Sequence, residues 1–229
     1  MVPALLASSS MILTAHSTVG CSTGYMSDLR GDWPGLVTKA ARTSSFAVEL
    51  SALSEHELPG LLEYLQRAPQ LPFRFVSVHA PSKGRTMSDA DLAEMLGRLP
   101  RWIYAVVMHP DAITADIGAY RSLGRRLAVE NMDARKGAGR TADELEHYFT
   151  ALPDARLCFD IAHAKAVDAS LDEGRAILGR FAGRLSHVHL SSLDGRHKHV
   201  PLTSEDQSLF SGLLSRCPDV PWILEAPPI

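Results

Sequence analysis

The chain has 229 residues, 45% of them hydrophobic, and a formal net charge of −3, which suits one large soluble domain spanning residues 1–229. Without a strong positive charge, tight wrapping of duplex DNA is disfavoured. No apolar run approaches the roughly 20 residues that cross a bilayer, and three scattered cysteines without CxxC spacing favour reduced thiols and a cytoplasmic location.

Short apolar runs alternate with helical stretches along the chain. Residues 4–14 are predicted to form the first strand, followed by a Gly/Ser-rich loop from Ser17 to Gly31. Further strands are predicted at 46–50, 75–79, 104–109, 127–130, 157–160, 185–189 and 222–225, and helices at 33–42, 56–67, 89–99, 116–126, 141–149, 171–181 and 204–217. This alternation predicts an α/β fold, a single (β/α)₈ barrel that lacks its last helix.

Two of these helices carry a recognisable start signal. Ser88 stands where an N-cap side chain would accept a hydrogen bond from the first turn of the helix at 89–99. Thr141 and Glu144 have the spacing of a capping box. Both signals support the helix assignments.

Six of the predicted strands close on a side chain that can bind a metal ion. These residues are His79, His109, Glu130, Asp160, His189 and Glu225. In a parallel barrel the carboxyl ends of all strands share one rim, so these imidazoles and carboxylates should converge there. The sequence therefore predicts a metal centre at this rim.

The last four strands supply one ligand each, Glu130, Asp160, His189 and Glu225. Any one of them could merely cap a loop or hydrogen-bond within the core, but four at equivalent positions favour a metal site. The mixture of oxygen and nitrogen donors suits Mn²⁺ or Zn²⁺ first, with Co²⁺ or Fe²⁺ as alternatives. We expect one to three ions per chain.

Histidines are concentrated around the last two of these strands. Asp160-Ile-Ala-His163 places two polar side chains around one cavity, and four histidines follow at His187, His189, His197 and His199. Residues two apart on a strand share a face, so either His187 or His189 could be the ligand, with the other hydrogen-bonded in the interior.

Short motifs around these residues resemble one family in order and spacing. They are Val78-His-Ala-Pro81, Met108-His-Pro110, Val129-Glu-Asn131, Phe159-Asp-Ile-Ala-His163, Val188-His-Leu190 and Ile223-Leu-Glu-Ala-Pro227. Over roughly residues 46–227 the chain resembles the xylose-isomerase-like TIM barrels, which include sugar isomerases, epimerases and the apurinic endonucleases of family 2. The resemblance selects His189 as the ligand, and it implies a structural role for Glu49.

The resemblance implies two chemistries. In the isomerase and epimerase members, one metal would be held by Glu130, Asp160, His189 and Glu225, while Glu130 and Glu225 exchange a proton through an enediolate. His163 and Arg196 would then bind substrate oxygens.

In the endonuclease members, a cluster of two or three metals cleaves a phosphoester. The further ligands that this implies are His79, His109, His163, His197 and His199. His197 departs from the pattern, because an imidazole stands where the nuclease pair Asp-x-His has a carboxylate.

Short loops and a slightly negative charge favour a small substrate over duplex DNA. Lys83 and Arg135 are predicted to bind the phosphate or carboxylate group of this substrate. The sequence thus favours a metal-dependent isomerase or epimerase of a small sugar, polyol or sugar phosphate. A multinuclear phosphoester hydrolase and a non-catalytic metal-binding barrel remain as alternatives.

The last strand, Trp222 to Glu225, is followed by only four residues. Without a covering helix, its outward apolar side chains would be exposed, and exposed apolar strips often mark contacts. A partner subunit, the N-terminal segment from Met1 to Ala7 or a further tail could cover these side chains. Of these we expect a homodimer through this seam.

Overall fold

The computed structural model describes residues 18–228, in which eight parallel strands close into a barrel. The strands are β1 Val19–Ser22, β2 Ala47–Ser51, β3 Phe75–His79, β4 Ala105–Met108, β5 Leu127–Glu130, β6 Arg156–Asp160, β7 Leu185–Leu190 and β8 Trp222–Leu224. Each strand pairs with its neighbour along the chain, and β8 closes on β1. The predicted barrel is confirmed.

Helices surround this barrel. The α-helices are α1 Trp33–Thr43, α2 Leu58–Gln66, α3 Asp89–Gly97, α4 Ala142–Ala151, α5 Ile161–Val167, α6 Asp172–Phe181 and α7 Ser204–Leu214. Segments of 3₁₀ helix lie at Ser27–Leu29, Pro110–Ala112, Ile117–Arg126 and Ala182–Arg184, and a two-stranded ribbon pairs Ser192–Leu193 with His199–Val200. None of the helices described is long and apolar enough to cross a membrane.

The first strand of the barrel is not where the sequence placed it. The strand predicted at 4–14 lies outside the described residues, whereas β1 falls inside the segment predicted as a loop from Ser17 to Gly31. Its glycine is a packing requirement, because a Cβ on Gly20 would lie 2.4 Å from the carbonyl oxygen of Ala47 on β2. A glycine at this position lets the two strands approach closely. From the sequence alone, the same glycine was interpreted as part of a loop.

Two helix predictions also need correction. The helix predicted at 116–126 is a 3₁₀ segment interrupted at Gly124, whose φ of 54° breaks helical geometry. Between β6 and α6 the chain forms the additional helix α5, and the Asp160 side chain caps it by accepting a hydrogen bond from the His163 backbone N–H at 2.7 Å. The strand therefore turns directly into a helix, which fixes the Asp160 carboxylate at the rim.

The predicted helix caps are present, one of them in altered form. Ser88 Oγ accepts from the Asp91 N–H at 3.1 Å, and Thr141 Oγ1 accepts from the Glu144 N–H at 3.2 Å. The Glu144 carboxylate, however, accepts from the backbone N–H of Arg140 at 2.7 Å. Only half of the capping box has its usual geometry.

The interior of the barrel changes from apolar to polar along the strands. Ala47 pairs in register with Phe75, and two residues later Glu49 pairs with Ser77. Because alternate residues of a strand share a face, these pairs form successive layers inside the barrel. The apolar cluster inside the barrel consists of Ala47, Phe75, Ala105, Val107, Ala128, Cys158 and Ile223. A second apolar cluster packs the outer faces of the strands against the helices.

No helix follows β8 within residues 225–228. Even so, Trp222, Ile223 and Leu224 are 5%, 0% and 6% exposed, and the Trp222 indole donates a hydrogen bond to the carbonyl of Cys217 at 3.0 Å. The exposed apolar strip expected on this strand is therefore absent. The homodimer was predicted from this strip, so the argument for it no longer holds. The prediction itself stays untested.

Candidate metal centre

The predicted ligands converge at the carboxyl-terminal rim, as the strand register requires. Four sets of donors are formed among the described residues, and within each set the ligand atoms lie within 4.8 Å of one another. One of them joins His189 to Cys158 and His187, and the other three combine the predicted rim residues. Set one is His79, His109 and Glu130; set two is Glu130, Asp160, His189 and Glu225; set three is Asp160, His163 and His199. Most of these side chains are buried, and Asp160 and His189 are 0% exposed.

Glu130, at the end of β5, belongs to two of the sets. Its Oε2 lies 3.4 Å from His79 Nε2 and 3.2 Å from His109 Nε2, while its Oε1 lies 3.3 Å from His189 Nδ1. One carboxylate thus presents one oxygen to each set. This is the arrangement of a carboxylate that bridges two cations.

In set one, the protein orients an imidazole through its own backbone. His79 Nδ1 lies 2.8 Å from the carbonyl oxygen of Ala80, so this nitrogen carries the hydrogen and donates. Nε2 then faces the site, 3.0 Å from His109 Nε2. Two imidazole nitrogens and one carboxylate oxygen consequently face a common point.

Set two is built around His189 on β7. Its Nδ1 lies 3.3 Å from Glu130 Oε1 and 3.3 Å from Glu225 Oε1, and its Nε2 lies 3.2 Å from Glu49 Oε2. Oδ1 of Asp160 caps α5, so Oδ2 is the oxygen that can serve as a ligand. His187, the other candidate ligand, is fully buried and lies outside this set.

Set three joins β6, α5 and the loop after β7. His163 Nδ1 lies 3.0 Å from the Asn131 carbonyl oxygen, and His199 Nδ1 lies 2.7 Å from Ser191 Oγ. His197, predicted as a further ligand, is not part of the set although it lines the same cavity. Its φ of 56° is unusual for a residue other than glycine.

Unpaired atoms test whether these residues fit a cation. Three buried carboxylate oxygens of the donor sets have no hydrogen-bond partner among the described residues: Glu130 Oε2, Asp160 Oδ2 and Glu225 Oε2. Each nevertheless lies within 3.4 Å of a histidine nitrogen. Buried anionic oxygens close to imidazoles but misaligned with them are costly without a cation, so the donors fit a divalent metal.

The crowding also perturbs the titration of the ligands. Burial raises the pKa of the Glu225 carboxyl well above its usual range, and Asp160 and Glu130 reinforce this although His189 opposes it. Burial alone would lower the pKa of His163, but the negative charges of Asp160 and Glu130 raise it to about 10. Without a cation, protons therefore balance the carboxylates, and a bound metal would displace them.

A cavity of about 560 Å³ opens above the ligands. Lys83 and Arg135, predicted to bind substrate, both line it, whereas Arg196 is exposed and is not part of its lining. Arg135 is already engaged, because it pairs with Asp133 at 2.7 Å and donates to the carbonyls of Arg196 and His197 at 3.2 Å. Lys83 and Lys198 make no ion pair with any residue between 18 and 228 and thus remain available to an anion.

Several residues at this site were not anticipated from the sequence. Asp133 is 1% exposed, and its Oδ2 lies 4.0 Å from His163 Nε2. Its only sequence signal is its position three residues after Glu130. Ser22 and Ser51 line the cavity wall with their hydroxyls 2.9 Å apart. Neither serine was predicted from the sequence. Ser22 lies on the unpredicted β1, and Ser51 directly follows the strand predicted at 46–50.

The sequence matches no protein-family model, and no curated protein matches it. Two solved structures are similar in fold. Endonuclease IV from Thermus thermophilus is 21% identical, with 92% of each chain covered and a TM-score of 0.56. A xylose isomerase domain protein from Planctomyces limnophilus is 11% identical, with 90% of this chain and 89% of that chain covered and a TM-score of 0.50. The chain therefore has a TIM-barrel fold similar to those of these two proteins.

Proposed function

We propose that the protein is a multinuclear metal-dependent hydrolase of small phosphoesters. The observation that carries this proposal is the position of Glu130, whose two oxygens serve two different donor sets. A proton-transferring base needs an oxygen that can reach the substrate, whereas each oxygen of Glu130 faces a histidine of a different donor set. The geometry therefore favours the hydrolase over the isomerase that the sequence favoured.

Paired metal sites suit phosphoester hydrolysis for a chemical reason. Divalent ions held by these residues would polarise the phosphoryl group and stabilise the negative charge that develops in the transition state. The chain itself would hold the substrate: Lys83 and Lys198 offer free cations to its phosphate, and the hydroxyls of Ser22 and Ser51 offer hydrogen bonds. Beneath the site the barrel interior is packed, which excludes water from that side.

The size and charge of the cavity favour a small substrate. A volume of about 560 Å³ falls within the ~300–1,000 Å³ typical of small-molecule sites. The net charge of −3 gives no broad attraction for the phosphates of a duplex. One similar structure is an endonuclease and the other an isomerase domain protein, so fold alone does not choose between the reactions.

Hydrolysis of bis(4-nitrophenyl) phosphate and of 4-nitrophenyl phosphate by protein loaded with Zn²⁺ or Mn²⁺ tests the proposal. We expect His109→Ala to remove one ion per chain and to lower kcat/KM by about 10²-fold, the scale of losing one electrostatic stabiliser. His147→Ala, an exposed histidine on α4, is the matched control and should change neither quantity. Loaded wild-type protein that cleaves neither ester would refute the proposal.

An isomerase remains the second candidate, because set two is complete without His79 and His109. On that hypothesis His109→Ala would retain activity, while Glu130→Gln would abolish solvent deuterium exchange next to the carbonyl of a keto-sugar phosphate. Exchange that survives His109→Ala, with no phosphoester cleavage, would replace the hydrolase by this candidate.

A further inference from the structure

Glu49 is a buried carboxylate inside the barrel that the proposed chemistry does not use. It lies on β2, one layer below the metal ligands, and is 0% exposed. Its Oε2 accepts a hydrogen bond from Ser77 Oγ at 2.9 Å and lies 3.2 Å from His189 Nε2. A buried negative charge at this depth is costly, so its contacts need an explanation beyond packing.

In three histidines of the centre, one ring nitrogen meets a hydrogen-bond acceptor of the protein. For His79 the acceptor is the Ala80 carbonyl at 2.8 Å, and for His163 it is the Asn131 carbonyl at 3.0 Å. For His189 alone the acceptor is a carboxylate. A neutral imidazole carries one hydrogen, so the nitrogen that donates it leaves the other free to bind a cation.

We propose that Glu49 is a positioning residue for His189. By accepting a hydrogen bond from Nε2, it holds the ring with Nδ1 directed at Glu130 Oε1 and Glu225 Oε1, each 3.3 Å away, where a cation would be bound. Its negative charge also makes the imidazole a stronger ligand. This inference rests on the metal centre of the proposed function and adds the residue that sets the affinity of set two.

The other neighbours of Glu49 do not account for it. His187 Nε2 lies 3.5 Å away and has no hydrogen-bond partner among the described residues, so the closer and hydrogen-bonded contact is the one to His189.

Glu49→Leu removes the acceptor, whereas Glu49→Gln keeps an acceptor oxygen and removes the charge. Zn²⁺ affinity, measured by competition with a chromophoric chelator, should fall about 10- to 100-fold in Glu49→Leu, the range for losing such a partner. Glu49→Gln should lose less. His147→Ala, the exposed histidine on α4, is the control and should keep wild-type affinity.

Nitrogen-15 NMR of the Zn²⁺-loaded protein provides a readout independent of activity. The wild type and Glu49→Gln should show a slowly exchanging hydrogen on His189 Nε2 and a metal-bound Nδ1, and Glu49→Leu should show faster exchange of the Nε2 hydrogen or release of His189 from the metal. Wild-type Zn²⁺ affinity in Glu49→Leu, or a metal-bound His189 Nε2 in the wild type, would overturn the inference. If Glu49→Leu fails to fold, the wild-type coordination mode and the affinity of Glu49→Gln still decide it.

The same measurements separate this inference from the hydrolase proposal. Zinc affinity that depends on Glu49, in a protein that cleaves no phosphoester, supports the positioning role and refutes the hydrolase. Phosphoester cleavage and zinc affinity that are both unchanged in Glu49→Leu refute the positioning role and leave the hydrolase intact.

Discussion

Asp89 is the most heavily hydrogen-bonded carboxylate outside the metal centre. It lies at the start of α3, is 3% exposed, and accepts from the backbone N–H groups of Ala115 and Asp116 at 2.7 and 2.9 Å. It also accepts from the Tyr120 hydroxyl at 2.8 Å and pairs with Arg85 at 3.2 Å. One side chain thereby ties α3 to the connection between β4 and β5.

Replacing this carboxylate should strongly destabilise the fold. Asp89→Ala removes one of the two ion pairs of Arg85 and leaves several donors without their acceptor, so we expect a loss of about 1–3 kcal/mol for each buried donor left unsatisfied. Urea unfolding measures this loss directly. Asp91→Ala, an exposed aspartate two residues further on, should change stability by less than about 0.5 kcal/mol. Equal effects of the two substitutions would contradict the role assigned to Asp89.

Glu55 makes the stability of the fold depend on pH in the acid range. Burial alone would raise its pKa, but hydrogen bonds from Thr86, Met87 and Arg85 lower it from the usual 4.5 to about 2. A carboxyl with a depressed folded-state pKa stabilises the fold above its unfolded-state pKa, and that contribution is lost as the pH falls through the folded-state value. Stability should therefore decline between about pH 4.5 and 2. Thermal melts of Glu55→Gln should start lower and decline less over this window; parallel curves would refute the assignment.

At the residue scale, the identity of the candidate ligands could be predicted better than their orientation. Strand-end positions were sufficient to bring together Glu130, Asp160, His189 and Glu225. The groups that orient His79 and His163 are backbone carbonyls. Every residue carries such a carbonyl, so the sequence holds no signal for this part of the site.

Among the elements, strands made of continuous apolar residues were predicted within a few residues of their bounds. The strand β1 was missed because Val19-Gly-Cys-Ser22 is short and contains the glycine that lets two strands approach closely. The segment Ile117–Arg126 was predicted as one helix because its apolar spacing is helical, but Gly124 interrupts it. In both cases tertiary packing and backbone geometry override the local pattern.

The close approach of β1 and β2 leads to a prediction at the element scale. Gly20→Ala places a Cβ 2.4 Å from a backbone oxygen that cannot rotate away, so the strands must separate and stability should fall by about 1–3 kcal/mol. Gly97→Ala is the matched control, since a Cβ there meets nothing within 4 Å at the end of α3. Helix propensity predicts no loss, or a gain of about 0.5–1 kcal/mol, for this control. Denaturant titrations of both variants decide; no difference between them would contradict the packing argument.

The whole molecule concentrates negative charge at one end of the barrel. Glu49, Glu130, Asp160 and Glu225 are buried or nearly buried there, with three of them in one donor set. Like charges at this spacing repel, and histidines and protons only partly balance them. A divalent cation would relieve the repulsion in the folded state alone, because the unfolded chain does not hold the ligands together. Folding and metal binding should therefore be coupled.

This coupling predicts the response of the melting temperature to metal removal. Free Zn²⁺ or Mn²⁺ at about 100 times Kd should stabilise the fold by about 2.7 kcal/mol. At about 2–4 °C per kcal/mol for a chain of this length, Tm should rise by about 5–11 °C, and chelation should reverse the rise. Glu130→Gln should show a much smaller rise, because it weakens two donor sets at once, whereas the surface variant His147→Ala should respond as the wild type does. A wild-type Tm that neither added metal nor chelator changes would mean that the convergent donors do not form a metal centre.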